Sequence, residues 1–253
     1  MVEVCALASG SNGNSYYIGD EKGAVLIDAG INCKQLLLRL EGRQLDPSKI
    51  KAVFVSHEHT DHIAGLRVFC NKLKIPAFFT PGTFMNTASR HKPKLYRFFE
   101  IGDTVTFDDF EIHAFTKNHD ASEPCSFRIE LGGQSIGVIT DLGSLCQPVI
   151  DHLRLCDVLF LESNYDEKML WEGAYPWPLK KRIASDVGHL SNEQAMLLVT
   201  EHANSRLHTI FLSHLSGENN TPDLAFQTFY PLTDRYTIIK TSRHEATGVY
   251  RYE

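Results

Sequence analysis

Apolar positions along the chain alternate between strand-like and helix-like spacing. Val2–Ala8 and Tyr16–Gly19 read as strands joined by the turn Ser9-Gly10-Ser11-Asn12-Gly13-Asn14, and Ala24–Asp28 reads as a third. Cys33–Leu40 is expected to be a helix, with Asn32 placed to cap it and Gly42 to end it. Ala52–Ser56 is a continuous apolar run, which suits a strand buried on both faces. From about His62 a helix follows, with Ile63, Leu66, Phe69 and Leu73 on one stripe. The middle of the chain is strand-rich: Thr104–Phe107, Phe110–Phe115, Ser126–Leu131 and Ser135–Thr140, the last two joined by the hairpin signal Gly132-Gly133. Asp157–Leu161 and Leu207–Leu212 read as later strands. Between them, Ser191-x-x-Gln194 is a capping box opening a helix with Ala195, Leu198 and Val199 inward. Helices and strands in roughly equal turns, with hairpins among them, predict two sheets covered by helices.

Composition narrows the class. The chain has 253 residues, 43% of them hydrophobic, enough for a large core and unlike a disordered composition. No Pro/Gly/Ser-rich linker divides it, so residues 1–253 read as one domain. No apolar run approaches membrane-spanning length, and Met1-Val2-Glu3-Val4-Cys5 lacks the basic start of a signal peptide. Cys5, Cys33, Cys70, Cys125, Cys146 and Cys156 are scattered, with no C-x-x-C pair, which points to reduced thiols and a cytoplasmic protein. A formal net charge of −6 argues against wholesale wrapping of nucleic acid, so any such contact must be local.

The chemistry concentrates in Ser56-His57-Glu58-His59-Thr60-Asp61-His62, directly after a buried strand. A loop there can fold its imidazoles and carboxylate onto one point. Neutral imidazole and carboxylate suit Zn, Mn or Fe alike.

The pattern H-x-H-x-D-H resembles the signature of the metallo-β-lactamase superfamily. The resemblance implies a four-layer αββα fold, two mixed β-sheets sandwiched by helices. The family's remaining motifs occur in order: Asp28 in Leu26-Ile27-Asp28-Ala29-Gly30, His119 in Lys117-Asn118-His119-Asp120, Asp141 in Val138-Ile139-Thr140-Asp141, and His214 in Phe211-Leu212-Ser213-His214. The resemblance implies two divalent metal ions, one held by His57, His59 and His119, the other by Asp61, His62 and His214, with Asp141 bridging. Such a pair shares a hydroxide nucleophile. Asp28 is implied to accept a ring N–H and fix a ligand's tautomer.

Glu162, ending its strand, and His189 in Gly188-His189-Leu190-Ser191-Asn192 are similar to a pair in the phosphodiesterase branch. There the Glu orients the His, and the His protonates the leaving oxygen. The segments Glu162-Ser163-Asn164-Tyr165-Asp166, Gly188-His189-Leu190-Ser191-Asn192, Ser213-His214-Leu215-Ser216 and Ser9-Gly10-Ser11-x-Gly13-Asn14 resemble the YycJ/WalJ-type branch over essentially the full chain. That implies a metal-dependent phosphodiesterase acting as a 5′-to-3′ exonuclease on DNA ends.

Lys180, Lys181 and Arg182 form a basic run expected to bind substrate, with Lys168 and Arg154 as candidates to join it. Tyr175 and Trp177 are candidates for stacking on a base. Asp120 is a candidate for a hydrogen bond near the metals. His91, His113, His152, His202, His208 and His244 have no motif partner and read as structural or surface residues. Two other readings stay open: a hydrolase of small cyclic phosphodiesters or thioesters, and a metal-binding scaffold without turnover. The sequence names no protein partner.

Overall fold

The computed structural model describes residues 1–253. Fourteen strands form two mixed sheets of seven. The first sheet contains β1 (Val2–Ala8), β2 (Ser15–Gly19), β3 (Ala24–Ile27), β4 (Ile50–Phe54), β5 (Ala77–Phe79) and β6 (Tyr96–Phe98), side by side in chain order. The second contains β7 (Thr104–Phe107), β8 (Phe110–Thr116), β9 (Cys125–Leu131), β10 (Gln134–Ile139), β11 (Val158–Glu162), β12 (Thr209–Ser213) and β13 (Thr237–Lys240). The last strand, β14 (Tyr250–Tyr252), returns to pair antiparallel with β1. The hairpin predicted at Gly132-Gly133 joins β9 to β10; both glycines have positive φ, which a tight two-residue turn requires.

Three apolar clusters define four layers. One lies between the sheets and takes Val4, Phe54, Phe127, Phe160 and Phe211 from facing strands. A second joins the outer face of the first sheet to α1 (Cys33–Gly42), α2 (Thr60–Ile63) and α3 (Leu66–Leu73) through Leu26, Leu36, Ile63, Leu66 and Phe69. The short α4 (Pro81–Asn86) follows β5. On the other side, α5 (Gln147–Leu153), α6 (Glu167–Glu172), α7 (Trp177–Ile183), α8 (Asn192–His202) and α9 (Pro222–Phe229) follow the strands of the second sheet. Leu153 on α5, Leu198 on α8 and Phe229 on α9 pack there with Leu159 and Leu212 in the third cluster. The αββα arrangement expected from the sequence is the one observed.

Local signals hold where side chains cap the backbone. Asn32 accepts the Gln35 N–H at the start of α1, and α1 ends at Gly42. Ser191 and Gln194 form the reciprocal capping box of α8. One expected element is divided: the helix starting near His62 breaks into α2 and α3 at Gly65. The Gly65 backbone lies so close to Ile31 that a Cβ would fall 2.0 Å from the Ile31 carbonyl oxygen. That approach ties the α2–α3 junction, just beyond Asp61 and His62, to the loop after β3. All six cysteines are free thiols, and all but Cys146 are buried.

Candidate metal centre

The candidate residues converge at the loop ends of both sheets. Asp28 follows β3, His57 and His59 follow β4, Asp61 and His62 lie on α2, His119 follows β8, Asp141 follows β10, Glu162 ends β11 and His214 follows β12. Asp28, Asp141 and His214 all adopt left-handed backbone conformations, with φ of 63°, 56° and 55°. Each sits immediately beyond its strand or one residue after it, where the left-handed turn re-aims the side chain into the site. For a histidine this conformation is uncommon and costs roughly 1 kcal/mol or more, which surrounding contacts must offset. The His214 N–H donates to Ser9 Oγ at 2.7 Å, and Asn164 Nδ2 donates to the His214 carbonyl at 2.8 Å.

The donor atoms form two adjoining groups, one of His57, His59 and His119, the other of Asp61, His62, Asp141 and His214. Within the first, His59 Nδ1 lies 3.1 Å from His57 Nε2 and 3.3 Å from His119 Nε2. Within the second, His62 Nε2 lies 3.2 Å from Asp141 Oδ2, and His214 Nε2 lies 3.5 Å from both Asp61 Oδ2 and Asp141 Oδ1. Asp141 Oδ1 also comes within 3.8 Å of His119 Nε2, so this carboxylate touches both groups. Ligands about 2.1 Å from a tetrahedral ion stand about 3.4 Å apart, the spacing seen here.

Hydrogen bonds on the outer side of the rings settle which nitrogen faces inward. The His62 Nδ1–H donates to Asp28 Oδ2 at 2.7 Å. Ser56 Oγ donates to Asp28 Oδ2 at 2.8 Å and so accepts the Nδ1–H of His57 at 2.9 Å. The His119 Nδ1–H donates to the Gly188 carbonyl at 3.2 Å, and the His214 Nδ1–H to Glu162 Oε1 at 2.8 Å. Four imidazoles therefore turn Nε2 towards a common centre, an arrangement typical of ligating histidines. His59 turns Nδ1 inward instead. His214 Nε2 and Asp141 Oδ2 are buried without a hydrogen-bond partner, a costly state that a divalent cation would relieve. The donor set thus fits divalent metal ions.

The charge states divide along the same line. Burial pushes His57 well below the ordinary histidine range, the neighbouring His62 adding to the effect. Burial likewise brings His119 down to about 3 against the pull of Asp141. For His62 and His214 burial acts downward too, but the facing carboxylates win. Asp141 and Asp28 hold His62 well above its ordinary value, and Asp141, Asp61 and Glu162 raise His214 to about 10. Burial would raise Asp141, yet His214, His62 and Lys117 hold it far below the usual carboxylate range. Without an ion, protons on His62 and His214 balance the buried carboxylates; a cation would take their place.

Glu162 binds more than the sequence suggested. It is fully buried, and its Oε1 accepts the Nδ1–H of His189 at 3.0 Å as well as that of His214. The same carboxylate accepts the backbone N–H groups of Asp141, Leu142 and Leu190. Burial alone would raise its pKa, but His189 and His214 bring it down to about 2. His189 lines the cleft between this carboxylate and the metal ligands.

Three contributors were not singled out from the sequence. Lys117 is buried, donates to the Thr140 carbonyl at 2.7 Å and lies 4.0 Å from Asp141 Oδ2. Asn14 Nδ2 reaches His62 Nε2 at 3.2 Å and Asp61 Oδ2 at 3.4 Å. Ser56 links His57 to Asp28. All three stand in the motif strings noted above, beside residues whose chemistry drew attention first.

The basic run divides. Of Lys180, Lys181 and Arg182, only Arg182 lines the cleft, where it pairs with Asp120 at 2.9 Å. Asp120 thus meets a guanidinium at the cleft mouth. Lys180 is buried and donates its ammonium to the Trp171 carbonyl at 2.7 Å, so its charge fastens α7 to α6 instead of meeting a ligand. Lys181 lies over the exposed Trp177 ring at 5.6 Å. Trp177, Tyr175, Lys168 and Arg154 are not among the residues lining the cleft, whose apolar wall is Leu179, Ile183 and Val187. The remaining histidines have local partners outside it, as with His152 stacked on Phe115 at 4.1 Å.

Residues 24–211 match the family described as the beta-lactamase superfamily domain. The chain is 36% identical over 222 residues to the exodeoxyribonuclease YycJ of Bacillus anthracis, covering 87% of this chain and 84% of that protein. It is 35% identical over 227 residues to the exodeoxyribonuclease WalJ of Streptococcus pneumoniae, covering 88% and 84%. The fold superimposes on the crystal structure of the metallo-beta-lactamase fold protein YhfI from Bacillus subtilis with a TM-score of 0.75 at 19% identity, covering 99% of this chain and all of that one.

Proposed function

The chain belongs to the metallo-β-lactamase superfamily, and from that premise we propose that this metal-dependent hydrolase is a DNA exonuclease that cleaves phosphodiesters from a 5′ end. The observation that carries the reading is the joint anchoring of His189 and His214 on Glu162. It sets a cleft-facing imidazole directly beside the ligand groups. A phosphodiester is a substrate class that needs both parts, because its alkoxide leaves poorly unless protonated.

His57, His59 and His119 would hold one ion, and Asp61, His62 and His214 the other, with Asp141 between. When bound, two such ions supply positive charge to the phosphoryl oxygens and lower the pKa of an attacking water. The remaining steps belong to the side chains. Asp28 and Gly188 hold ring N–H groups outward, so the inward nitrogens stay unprotonated. Glu162 keeps a proton on His189 Nδ1, which leaves Nε2 free to point into the cleft. Nε2–H passes its proton to the leaving oxygen, and His189 ends neutral with Nδ1–H still on Glu162. The Leu179, Ile183 and Val187 wall excludes water from one side, and Arg182 offers a guanidinium at the mouth.

Curated relatives with exodeoxyribonuclease names support DNA as the substrate. No helix is long and apolar enough to cross a membrane, and the free thiols accord with a reducing compartment; we place the protein in the cytoplasm on those grounds. The test is a substrate panel run with Mn, Zn or Fe and with a chelator. It contains 5′- and 3′-labelled DNA, the same sequence in RNA, an aryl phosphodiester and a glutathione thioester. Metal-dependent release of nucleotides from the 5′ end is expected. Activity confined to the thioester would overturn the phosphodiesterase reading, and no turnover on any substrate would leave a metal-binding scaffold.

A further inference from the structure

The charges of this acidic chain are segregated. Between His62 and Phe99 stand seven Lys and Arg residues and no Asp or Glu, whereas the rest of the chain holds 18 Lys and Arg against 31 Asp and Glu. The seven are Arg67, Lys72, Lys74, Arg90, Lys92, Lys94 and Arg97. None forms an ion pair, and all but the half-buried Lys92 are exposed.

The fold gathers much of this segment on one side of the first sheet. Lys94 N–H donates to Asn71 on α3, and the turn 89–91 packs on α3, which brings Arg67 into the neighbourhood of His91. Beside these cations lies an aromatic group. Phe84 on α4 stacks on Tyr96 at 4.5 Å, and Phe98 meets both rings edge-on at 5.2 and 5.6 Å. Lys92 Nζ lies 4.2 Å over the Phe84 ring. Tyr96 and Phe98, both on the edge strand β6, are 46% and 51% exposed, far more than packing would leave large rings in a core. Unpaired cations interleaved with exposed rings suit a polyanion whose flat groups are free to stack.

The group also adjoins the cleft. The loop running from His119 and Asp120 reaches Glu123, whose carboxylate and carbonyl accept from Gly82 and Thr83 on α4. The acidic groups along that loop are engaged: Glu58 by Ser122, Glu123 by Gly82 and Asp120 by Arg182. Of the three, Asp120 is paired with a cation, while Glu58 and Glu123 are held in place by neutral donors and keep their charge.

We propose that the surface formed by α3, α4 and β6 is a binding track for single-stranded nucleic acid, with Arg67, Arg90 and Lys94 on its phosphates and Tyr96 and Phe98 beneath its bases; Arg97, on the opposite face of β6 over Phe78, lies outside it. The proposal rests on the nuclease reading for its substrate and adds the path the strand follows outside the cleft. A duplex keeps its bases stacked internally and offers the rings nothing, so the track discriminates between the two forms.

The test measures binding of the metal-loaded protein to a phosphorothioate 20-mer of thymidylate by fluorescence anisotropy across a salt series. Arg90→Glu with Lys94→Glu is expected to weaken binding by roughly tenfold or more and to flatten the salt slope by about two. Tyr96→Ala and Phe98→Ala are expected to weaken it several-fold at an unchanged slope, because stacking releases no counterions. All these variants should hydrolyse a small aryl phosphodiester at the wild-type rate, which shows them folded. Variants that bind the 20-mer as the wild type does would overturn the track, as would wild-type protein that binds a duplex as tightly as a single strand. If the wild type binds in the expected manner but leaves ordinary DNA uncut, the nuclease reading fails and the track stands. If it cuts DNA and the variants keep its KM, the track fails and the nuclease reading stands.

Discussion

Glu162 Oε1 accepts the Nδ1–H of His189 at 3.0 Å. The same oxygen holds His214, 2.8 Å away on the other side. One carboxylate thus anchors both the candidate general acid and a candidate metal ligand, and substitutions should separate the two functions.

His189→Ala removes only the group that faces the cleft. Turnover on DNA is expected to fall by roughly 10²–10⁴, the range for a lost general acid, with metal stoichiometry unchanged. Glu162→Ala releases His214 and the Asp141 backbone as well. Its metal affinity is expected to drop by about 10–100-fold, as when an outer partner of a ligating histidine is removed. Metal analysis after chelator competition checks both. A Glu162→Ala protein that kept wild-type affinity would show that His214 is held by other means.

Stability should depend on pH differently with and without metal. His214 is raised from its ordinary 6.5 to about 10, so the folded protein binds that proton more tightly than the unfolded chain does. The resulting stabilisation is complete below pH 6.5 and is lost as pH rises towards 10, at up to about 1.4 kcal/mol per pH unit for each such group. His62, held high by Asp141 and Asp28, adds in the same direction. A bound ion takes Nε2 in place of the proton and removes the dependence. In chelator, the melting temperature is expected to decline between pH 6.5 and 10; with metal it should stay flat or rise. Parallel curves would refute this account of the charge balance.

How much of this was legible beforehand depended on what kind of signal each part leaves. Strands with continuous apolar runs, such as β4 and β11, and helices opened by a side-chain cap, such as α1 and α8, stood out because their causes are local. The edge strands β6 and β14 were not assigned: each has three residues and gains its place from a neighbouring strand. In the site, the residues with ligand chemistry at strand ends stood out in the sequence, and the fold brings their donor atoms together. The double use of Glu162 did not stand out: its pairing with His189 was expected, but His214, 52 positions further along the chain, read only as a metal ligand. Lys180 misled for a related reason. A lysine in a basic run reads as solvated, and only the fold shows the Trp171 carbonyl that accepts its hydrogen bond.

Asp28 offers a test of how the ligands are oriented. Its carboxylate accepts from His62 Nδ1, Ser56 Oγ and the Ser56 backbone N–H, and through Ser56 it also orders His57. Asp28→Asn keeps the size but replaces one acceptor oxygen with a donor. Metal affinity is expected to fall by about 10–100-fold. Because Asn tolerates left-handed backbone conformations, the fold itself should survive. Circular dichroism beside a metal titration distinguishes the two effects, and unchanged affinity would argue that His62 finds its tautomer without Asp28.

Lys180 and Arg182, two residues apart on α7, should behave in contrasting ways. Lys180→Met leaves the Trp171 carbonyl without its donor and is expected to cost about 1–3 kcal/mol of stability, the price of an unsatisfied buried acceptor. Its kcat and KM for DNA should stay near wild type, since the ammonium does not line the cleft. Arg182→Ala removes an exposed ion pair with Asp120, worth at most about 1 kcal/mol, so stability should barely change. It also leaves Asp120 unpaired at the cleft mouth, where a carboxylate repels an incoming phosphate. KM for DNA is therefore expected to rise several-fold, more at low salt than at high salt, while turnover of a neutral thioester probe, if any, is unaffected. Urea unfolding and steady-state kinetics on the two variants measure both quantities. Kinetic loss in Lys180→Met with stability intact would return the lysine to the substrate-binding set.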